Sequence, residues 1–430
     1  MSRFPTARCR RTPPVATLFA AVCTSLLAAG CAQLPATAPA AVRADSRTAA
    51  PPFDAARLAE IDRAILDSVA ARRLPGAVFF LERDGAMYEK SFGRFTYEAD
   101  AAPVTPDTVF DAASLTKVLS TAPAVLLLAQ EGRLDLEAPV ARYFPECANG
   151  GKEAITVRQL LTHSSGLPAG LPATPAWQGA QAAHTLACTQ AVSHAPGSFF
   201  RYSDINYILL GQLVERVAGM PLDRFAQERI FAPLRMRDTG YLPLKRVQAG
   251  AIAPTQRGGD AAGAALHGDL GPGQLLQGVV HDPTVRRMGG VAGSAGVFST
   301  ARDVARFARM LIGDGELDGV RVLSKDSVRL LTTVQSPPGL ALRGMGMDID
   351  SPYAQRPRGT VFPVGSYGHT GFTGCILWVD PQTRTFYVLL SNRVYPDDKS
   401  NVLGLYTQLG TLSAQAVQAQ DASAAVAGRR

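Results

Sequence analysis

Two pairs of short apolar segments, one near each end of the sequence, constrain the fold of this chain more than any other feature. Residues 76–82 and 86–92 flank the turn dipeptide Asp84-Gly85, and 375–379 lies close upstream of 386–390. Short apolar runs around a tight turn are typical of antiparallel hairpins. We therefore predict strands near both ends of one folded domain.

Between these two strand regions the sequence has mainly helical signals. Thr156 and Gln159 form a capping box, residues 207–217 are amphipathic, and Thr300 begins another helical pattern. One more helical pattern follows Asp54, ahead of the first hairpin. The predicted fold class is α/β in the α+β sense, with helices inserted between the strands.

The first thirty residues have the layout of a secretion signal. Four arginines precede an apolar stretch over 15–27, and Cys31 follows the small residues at 28–30. The apolar stretch is shorter than the roughly 20 residues that a membrane-spanning helix needs. We predict a signal peptide at 1–30 and an exported, periplasmic protein. Lipidation of Cys31 would tether it to the membrane, and ordinary cleavage or an uncleaved anchor is the alternative.

Two segments differ in composition from the rest of the chain. Residues 31–52 are almost all Ala, Pro, Thr and Arg, a composition that cannot bury apolar surface and behaves as an extended tether. Residues 413–430 are rich in Ala, Gln and Ser, which we interpret as a flexible tail. The folded domain is therefore predicted over 53–412.

The composition also excludes some functions. The formal net charge is +7, and four of the arginines belong to the first thirty residues, so no nucleic-acid partner is expected. The six histidines form no zinc motif, and neither a metal nor another cofactor is expected. Apart from the N-terminal cysteines, Cys147, Cys188 and Cys375 remain, and spacing leaves open whether the first two pair.

The first motif with catalytic chemistry is Ser114-Leu115-Thr116-Lys117. Residues three apart on a helix share one face, so the Lys117 amine can accept the Ser114 proton if burial keeps that amine partly neutral. A serine at a helix N-terminus also lies at the positive end of the dipole, which favours a developing oxyanion. Alone, the tetrapeptide is more often an exposed helix start with a solvated lysine.

A second motif, Tyr202-Ser203-Asp204, precedes the amphipathic segment at 207–217. A phenol beside a lysine ammonium has its pKa lowered and can pass protons to a leaving group. The alternative is a tyrosine ring packed beneath a loop.

The third motif, His369-Thr370-Gly371, lies upstream of the apolar segment at 375–379. Thr370 and His369 can donate to a substrate carboxylate or carbonyl, and Gly371 allows close approach of a backbone. A single histidine is also commonly structural.

Together, in this order and at these separations, the three motifs resemble the serine β-lactamase and penicillin-binding protein family, especially class C β-lactamases, DD-peptidases and related esterases. The resemblance covers essentially all of 53–412. It includes LLTHSSGL at 160–167, GGVAGSAGVFST at 289–300 and SNR at 391–393. It implies an antiparallel sheet flanked by terminal helices, an all-helical lobe, and a site in the cleft between them.

The resemblance also implies a role for each motif residue. Ser114 looks like the nucleophile, Lys117 its base, and Tyr202 the general acid and base for acylation and water attack. The oxyanion hole would consist of the backbone N–H groups of Ser114 and Phe372. Such a donor is typically worth roughly 3 to 4 kcal/mol in catalysis.

Two positions depart from the family pattern. Asp204 replaces the more common Asn, and an ionised carboxylate cannot donate to a substrate as an amide does. His369 stands where the most active β-lactamases of this fold have Lys, so the positive charge for a penicillin carboxylate is weakened. The histidine at 369 favours a peptidase or esterase over a β-lactamase. The segment GVVHDP at 278–283 resembles the DD-carboxypeptidase-like branch, with His281 and Asp282 interpreted as structural.

The sequence also allows two different interpretations, another hydrolase fold and a non-catalytic module. Residues 292–296 nearly match the Gly-x-Ser-x-Gly elbow of α/β-hydrolases, but Ala292 replaces the first glycine and no parallel strand-helix alternation is present. A tethered, non-catalytic module that senses penicillin or binds the cell wall would keep the fold without turnover. We expect a hydrolase whose substrate is a peptide, possibly of peptidoglycan, or a small ester.

Overall fold

The computed structural model describes residues 53–258 and 270–427, with the backbone alone for 418–427. The predicted signal peptide at 1–30, the tether at 31–52 and the lipidation site Cys31 lie outside the described residues.

A seven-stranded antiparallel sheet organises the described part of the chain. Seven of the strands in the described residues belong to it, and the other six form three separate pairs. The strands are β1 (Gly76–Arg83), β2 (Ala86–Gly93), β3 (Phe110–Asp111), β4 (Gln256–Arg257), β5 (Leu275–Leu276), β6 (Phe298–Ser299), β7 (Glu316–Leu317), β8 (Val320–Arg321), β9 (Leu342–Arg343), β10 (Asp348–Asp350), β11 (Tyr367–Gly371), β12 (Cys375–Asp380) and β13 (Thr385–Ser391). The order in the large sheet is β2-β1-β13-β12-β11-β10-β9. The two predicted hairpins are therefore confirmed, and they meet where β1 pairs with β13.

The helices form a separate lobe and a layer that covers the sheet. They are α1 (Ala55–Ala70), α2 (Ala122–Gln130), α3 (Val157–Leu161), α4 (Ala180–Thr189), α5 (Asp204–Ala218), α6 (Leu222–Ala226), α7 (Pro283–Arg287), α8 (Ala301–Ile312), α9 (Lys325–Thr332), α10 (Gln355–Arg358) and α11 (Leu403–Ala427). The capping box of Thr156 and Gln159 begins α3, and Thr300 caps α8, as predicted. The predicted fold class, an antiparallel sheet with terminal helices and a helical lobe, is confirmed.

Both faces of the central strands are buried, and alternate side chains enter different cores. Along β1, Val78 and Phe80 pack into the core shared with the helical lobe. Phe79 and Leu81 point the other way and pack beneath the helices α1 and α11. Because successive side chains of a strand face opposite sides, one apolar run supplies both cores.

The last helix extends beyond residue 412, so the predicted flexible tail at 413–430 is wrong for the residues that the structure describes. Three side chains of α11 are buried in the core that this helix forms with α1 and the sheet, namely Ala414, Ala416 and Val417. The Asp54 N–H donates to the Ala416 carbonyl oxygen at 3.0 Å, which joins the two terminal helices. Alanine-rich composition suggested a tail, but small side chains also allow two helices to approach closely.

The segment that carries Ser114 is not a regular α-helix. A 3-10 turn over Ala113–Leu115 leads into a π-helical turn over Lys117–Thr121, and only then does α2 begin. In that turn the Ala122 N–H donates to the Lys117 carbonyl five residues earlier. Pro123 follows this wider turn and has no N–H to donate, so the regular helical hydrogen bonding is interrupted at the same place. The apolar window Ala113–Gln130 is long enough to cross a membrane, but 83% of it is buried inside the domain.

A disulfide joins Cys147 to Cys188, which settles the pairing that spacing left open. It connects the 3-10 turn Pro145–Cys147 to the helix α4, both in the helical lobe. Cys375 is free and buried at the start of β12.

Ala416→Asp is expected to destabilise the protein by about 3 kcal/mol or more, because it places an unpaired charge in the core under the terminal helices. Gln408→Asp, at an exposed position of the same helix α11, is the matched control and should cost far less. Equilibrium unfolding in urea measures both. Equal small effects would contradict the ordered C-terminal helix.

Candidate active site

The three predicted motifs meet at one cleft of about 360 Å³. Ser114 lies after β3, Tyr202 lies just before α5, and His369, Thr370 and Gly371 lie on β11. The cleft is lined by Ser114, Tyr202, Asp348, Tyr353, His369, Thr370, Gly371, Phe372, Arg393, Asn401, Val402, Leu403 and Tyr406. A larger cavity of about 560 Å³ beside Leu242 contains none of the predicted site residues, so size alone does not identify the site.

Lys117 lies beneath Ser114 and is fully buried. Its Nζ is 3.1 Å from Ser114 Oγ and 2.8 Å from the Ser294 carbonyl oxygen. The same Nζ is 2.7 Å from Asp204 Oδ1. These three acceptors and the nearby Tyr202 phenol surround the three N–H donors of the ammonium group with oxygen atoms.

The base role predicted for Lys117 depends on burial keeping its amine partly neutral, and the surroundings of the amine have the opposite effect. Burial alone would lower the pKa of this amine, but the Asp204 carboxylate and the Tyr202 phenol outweigh it and raise the pKa above its ordinary value. The resting amine is therefore a charged ammonium rather than a partly neutral base. Sequence reasoning considered the burial of Lys117 but not its carboxylate partner.

Asp204 occupies a different role from the substrate contact that the family pattern suggests. It begins α5, its carboxylate pairs with Lys117, and it is absent from the cleft lining. A salt bridge to a buried ammonium compensates part of the cost of burying that charge. An aspartate at 204, where the family pattern has asparagine, thus adds a negative charge to the site and stabilises the charged form of Lys117.

Tyr202 is surrounded by rings and by the Lys117 cation. Its ring centroid lies 4.4 Å from that of His163 and 5.4 Å from that of Tyr353. Lys117 Nζ lies 4.9 Å from the same centroid, and the phenol interacts by side-chain hydrogen bonding with Lys117 and Ser114. Burial raises the pKa of Tyr202 and the Lys117 charge opposes that rise. The lowered pKa expected for this phenol is therefore wrong, and Tyr202 is a neutral proton donor at rest.

His369 is a neutral acceptor, which contradicts its expected role as a donor to a substrate carboxylate. Its Nδ1 lies 2.8 Å from the Thr370 carbonyl oxygen, which can only accept, so Nδ1 carries the proton. The buried Nε2 then holds a lone pair, and it has no partner among the described residues. Burial, with the charges of Arg343 and Lys117, holds the pKa of His369 well below its usual range.

The remaining residues of the third motif lie where sequence reasoning placed them. Thr370 lines the cleft. A side chain on Gly371 would place its Cβ 2.4 Å from the Ala112 carbonyl oxygen, so only glycine allows β11 to pack on the Ser114 segment. Phe372 follows, with 57% of its surface exposed at the cleft.

The backbone around Ser114 is strained. Ala113, the residue before the nucleophile position, has a φ of 46°, in the left-handed region that alanine rarely adopts. Asp111 Oδ1 accepts a hydrogen bond from the Ala113 N–H at 2.8 Å. Sequence reasoning missed both Asp111 and the Ser294 carbonyl, since neither belongs to a catalytic motif.

One group of potential metal ligands exists among the described residues. Ligand atoms of Cys147, His184 and Cys188 lie within 4.8 Å of one another. The two sulfurs are joined in the disulfide, and His184 bonds Glu146 and Gln212 through its two ring nitrogens. This arrangement is a satisfied structural cluster in the lobe, apart from the cleft.

Comparisons with known proteins agree with this geometry. The family profile described as Beta-lactamase matches residues 61–409. A protein of Escherichia coli (strain K12), named "Putative D-alanyl-D-alanine carboxypeptidase", is 31% identical over 392 residues, covering 86% of this chain and 89% of the relative. The chain therefore belongs to the β-lactamase family, and it is a serine hydrolase of the β-lactamase and penicillin-binding protein type.

Solved structures share the fold. The octameric penicillin-binding protein homologue from Pyrococcus abyssi superposes with a TM-score of 0.62 at 23% identity, over 83% of this chain and 77% of that one. EstCE1, described as a hydrolase with promiscuous acyltransferase activity, gives 0.64 at 22% identity, over 84% and 98%. At these identities the likeness concerns the fold alone.

Asp204→Asn is expected to shift the acidic limb of the pH profile of kcat/KM by about 1 to 3 units to lower pH. In the wild type the raised pKa keeps Lys117 charged, so activity that needs a neutral amine increases toward alkaline pH. Without the carboxylate, burial dominates, and the amine loses its proton at lower pH. Rates of activated-ester hydrolysis across the pH range measure this shift.

Asp326→Asn is the matched control, because it also removes an acid from the first turn of a helix, at an exposed pair with Arg329. It should leave the limb in place. An unmoved limb in Asp204→Asn would mean that Asp204 does not control the amine.

Proposed function

We propose that this chain hydrolyses peptide amide bonds through an acyl-enzyme on Ser114, as a DD-carboxypeptidase-like enzyme of the cell envelope. The observation that carries the proposal is the 3.1 Å contact between the buried Lys117 amine and the Ser114 hydroxyl at the floor of the cleft. Burying a lysine ammonium costs free energy even when it is paired, so its position beneath a serine at a cleft favours a catalytic role.

Acylation needs an acceptor for the Ser114 proton, and an ammonium cannot accept one. In our proposal the reactive form is the one in which Lys117 has lost one ammonium proton to solvent. Its neutral amine, held in place by Asp204, then accepts the Ser114 proton. The alkoxide attacks the carbonyl carbon of the substrate.

Collapse of the tetrahedral intermediate requires a proton on the leaving group. In our proposal Tyr202 donates its phenolic proton there. Lys117 then passes the proton that it took from Ser114 to the phenolate, which restores the phenol and the neutral amine. Water then enters by the reverse route and releases the acyl group. The backbone N–H groups of Ser114 and Phe372 would stabilise the oxyanion in both steps.

The charges in the cleft support a substrate with a terminal carboxylate. His369 is neutral, but Arg393 lines the cleft and donates hydrogen bonds to the backbone carbonyls of Phe372, Asp398 and Ser400. Asp398 interacts with this guanidinium, but the side chain still lines the cleft and can attract an anionic group of the substrate. The name of the E. coli relative points to the same substrate class, peptides ending in D-alanyl-D-alanine.

A second candidate function is hydrolysis of small carboxylic esters. Phe372 and Tyr353 expose large parts of their rings at the cleft, and His369 supplies no charge there. An apolar cleft without a strong cation at position 369 would accept neutral esters. A non-catalytic sensing module is the third candidate, and covalent labelling distinguishes it.

We further propose that the protein is exported and held at the membrane through a lipid on Cys31. This part of the proposal depends on the layout of residues 1–52, namely the signal-like segment and the Ala/Pro-rich tether. A shift of Cys31→Ser from the membrane to the soluble periplasmic fraction would support it.

Ser114→Ala is expected to abolish covalent labelling by a fluorescent penicillin and by a fluorophosphonate, because both reagents need the hydroxyl. Ser120→Ala is the matched control: Ser120 is buried on the same segment and bonds Tyr241 rather than Lys117. Labelling is measured by gel fluorescence and intact mass. Label that persists in Ser114→Ala would contradict the nucleophile, and reversible binding without an adduct would favour the sensing module.

Side-by-side assays with a D-alanyl-D-alanine peptide, a nitrophenyl ester and nitrocefin are expected to show turnover of the first two and weak turnover of nitrocefin, since a neutral His369 attracts a penicillin carboxylate poorly. Turnover of the ester alone would favour the esterase. Fast nitrocefin turnover would contradict both assignments.

A further inference from the structure

Asp111, at the end of β3, is a fully buried carboxyl group; burial raises its pKa, and its backbone hydrogen bonds and the nearby His281 oppose that rise. Its Oδ1 accepts from the Ala113 N–H at 2.8 Å, and its Oδ2 accepts from the His281 N–H at 2.7 Å. Burying a carboxylate against neutral N–H groups alone is unfavourable for stability. A role in the site is therefore the more economical explanation for this residue.

The Oδ1 contact acts on the Ser114 side of the cleft. Ala113 has the left-handed φ of 46°, and the Asp111 carboxylate holds the N–H of that same residue. The next N–H along the chain belongs to Ser114. The orientation of the Ser114 N–H thus depends directly on a conformation that Asp111 maintains.

The main chain of Asp111 acts on the opposite side. Its carbonyl oxygen accepts a hydrogen bond from Thr373 Oγ1 at 2.6 Å. Thr373 follows Phe372 in the turn between β11 and β12, so this bond holds the turn that carries the Phe372 N–H. One residue therefore contacts both backbone segments from which the two oxyanion donors would come.

The segment at 278–283 completes the connection. The His281 N–H is held by Asp111, and the His281 ring stacks on Phe372 with centroids 5.9 Å apart. Asp282 caps the following helix α7 by accepting from the Val285 N–H at 2.9 Å. The GVVHDP motif thus lies against the back of the Phe372 turn rather than in the cleft.

We propose that Asp111 is a positioning residue that sets the distance and orientation between the N–H groups of Ser114 and Phe372. The inference rests on the proposed function, since it assigns Asp111 to the oxyanion hole of that reaction. Asp111 does not touch the substrate and acts through Ala113 and Thr373. A small error in such a geometry lowers the rate of the chemical step and leaves ground-state binding intact.

Thr373→Val tests the proposal without removing a charge from the core. It deletes the hydroxyl that donates to Asp111, and it keeps the shape of the side chain. We expect kcat for a nitrophenyl ester to fall by about 10- to 100-fold with KM within about 2-fold, because misplacing a donor costs part of what losing it does. Thr373→Ser keeps the hydroxyl and should restore kcat to within a few-fold of the wild type.

Thr332→Val is the matched control. Thr332 is also buried, and its hydroxyl donates to the Val328 carbonyl oxygen at 2.8 Å within α9, away from the cleft. It should show a similar shift of the unfolding midpoint and an unchanged kcat. Asp111→Asn, whose NH₂ group cannot accept from an N–H, should lower kcat at least as far as Thr373→Val.

A second readout is the rate at which a fluorophosphonate labels Ser114, since its adduct is tetrahedral and carries an oxygen in the oxyanion position. Thr373→Val and Asp111→Asn should both slow this labelling. Wild-type rates in both variants, or a raised KM with unchanged kcat, would overturn the role of Asp111 while leaving the hydrolase assignment intact. A wild-type protein that neither labels nor turns over ester would overturn the proposed function and this inference together.

Discussion

The burial of one ammonium group determines how the site is assembled. Lys117 has no contact with bulk water, so each of its three N–H groups needs an acceptor from the protein. The acceptors come from three separate segments: the Ser114 hydroxyl, the Ser294 carbonyl and the Asp204 carboxylate. Satisfying this single charge therefore brings the serine turn, the glycine-rich segment and the start of α5 to one point.

Close backbone packing makes that convergence possible. A Cβ on Gly293 would lie 2.0 Å from the Tyr207 carbonyl oxygen, so the glycine-rich segment can lie directly on α5 only because this side chain is missing. That contact leaves the neighbouring Ser294 carbonyl pointing at Lys117. On the other side of the cleft, Gly371 allows β11 to approach the Ala112 carbonyl oxygen. The glycines of both motifs thus act by permitting backbone contacts, while the reactive groups belong to their neighbours.

Much of the architecture could be predicted because its signals are local. Hairpins around tight turns and the caps at Thr156 and Thr300 depend on a few adjacent residues, and all of them are confirmed. The predictions that are wrong concern the surroundings of individual side chains in the folded protein. The Ala, Gln and Ser composition of residues 413–430 predicts a tail, yet Ala416 is buried by the packing of two helices. His369 was expected to donate, and its tautomer is decided by the Thr370 carbonyl.

The sequence by itself determined the family, the strand and helix pattern and the identity of the three motifs, since these depend on residue type, order and spacing. Only the tertiary structure decided the charge of Lys117, the partner of Asp204 and the position of Asp111 between the two sides of the cleft. The physical reason is that a pKa and a hydrogen bond depend on burial and on neighbours distant in the chain. Asp111 and Thr373 are 262 residues apart in sequence, and the hydrogen bond between them exists only in the folded protein.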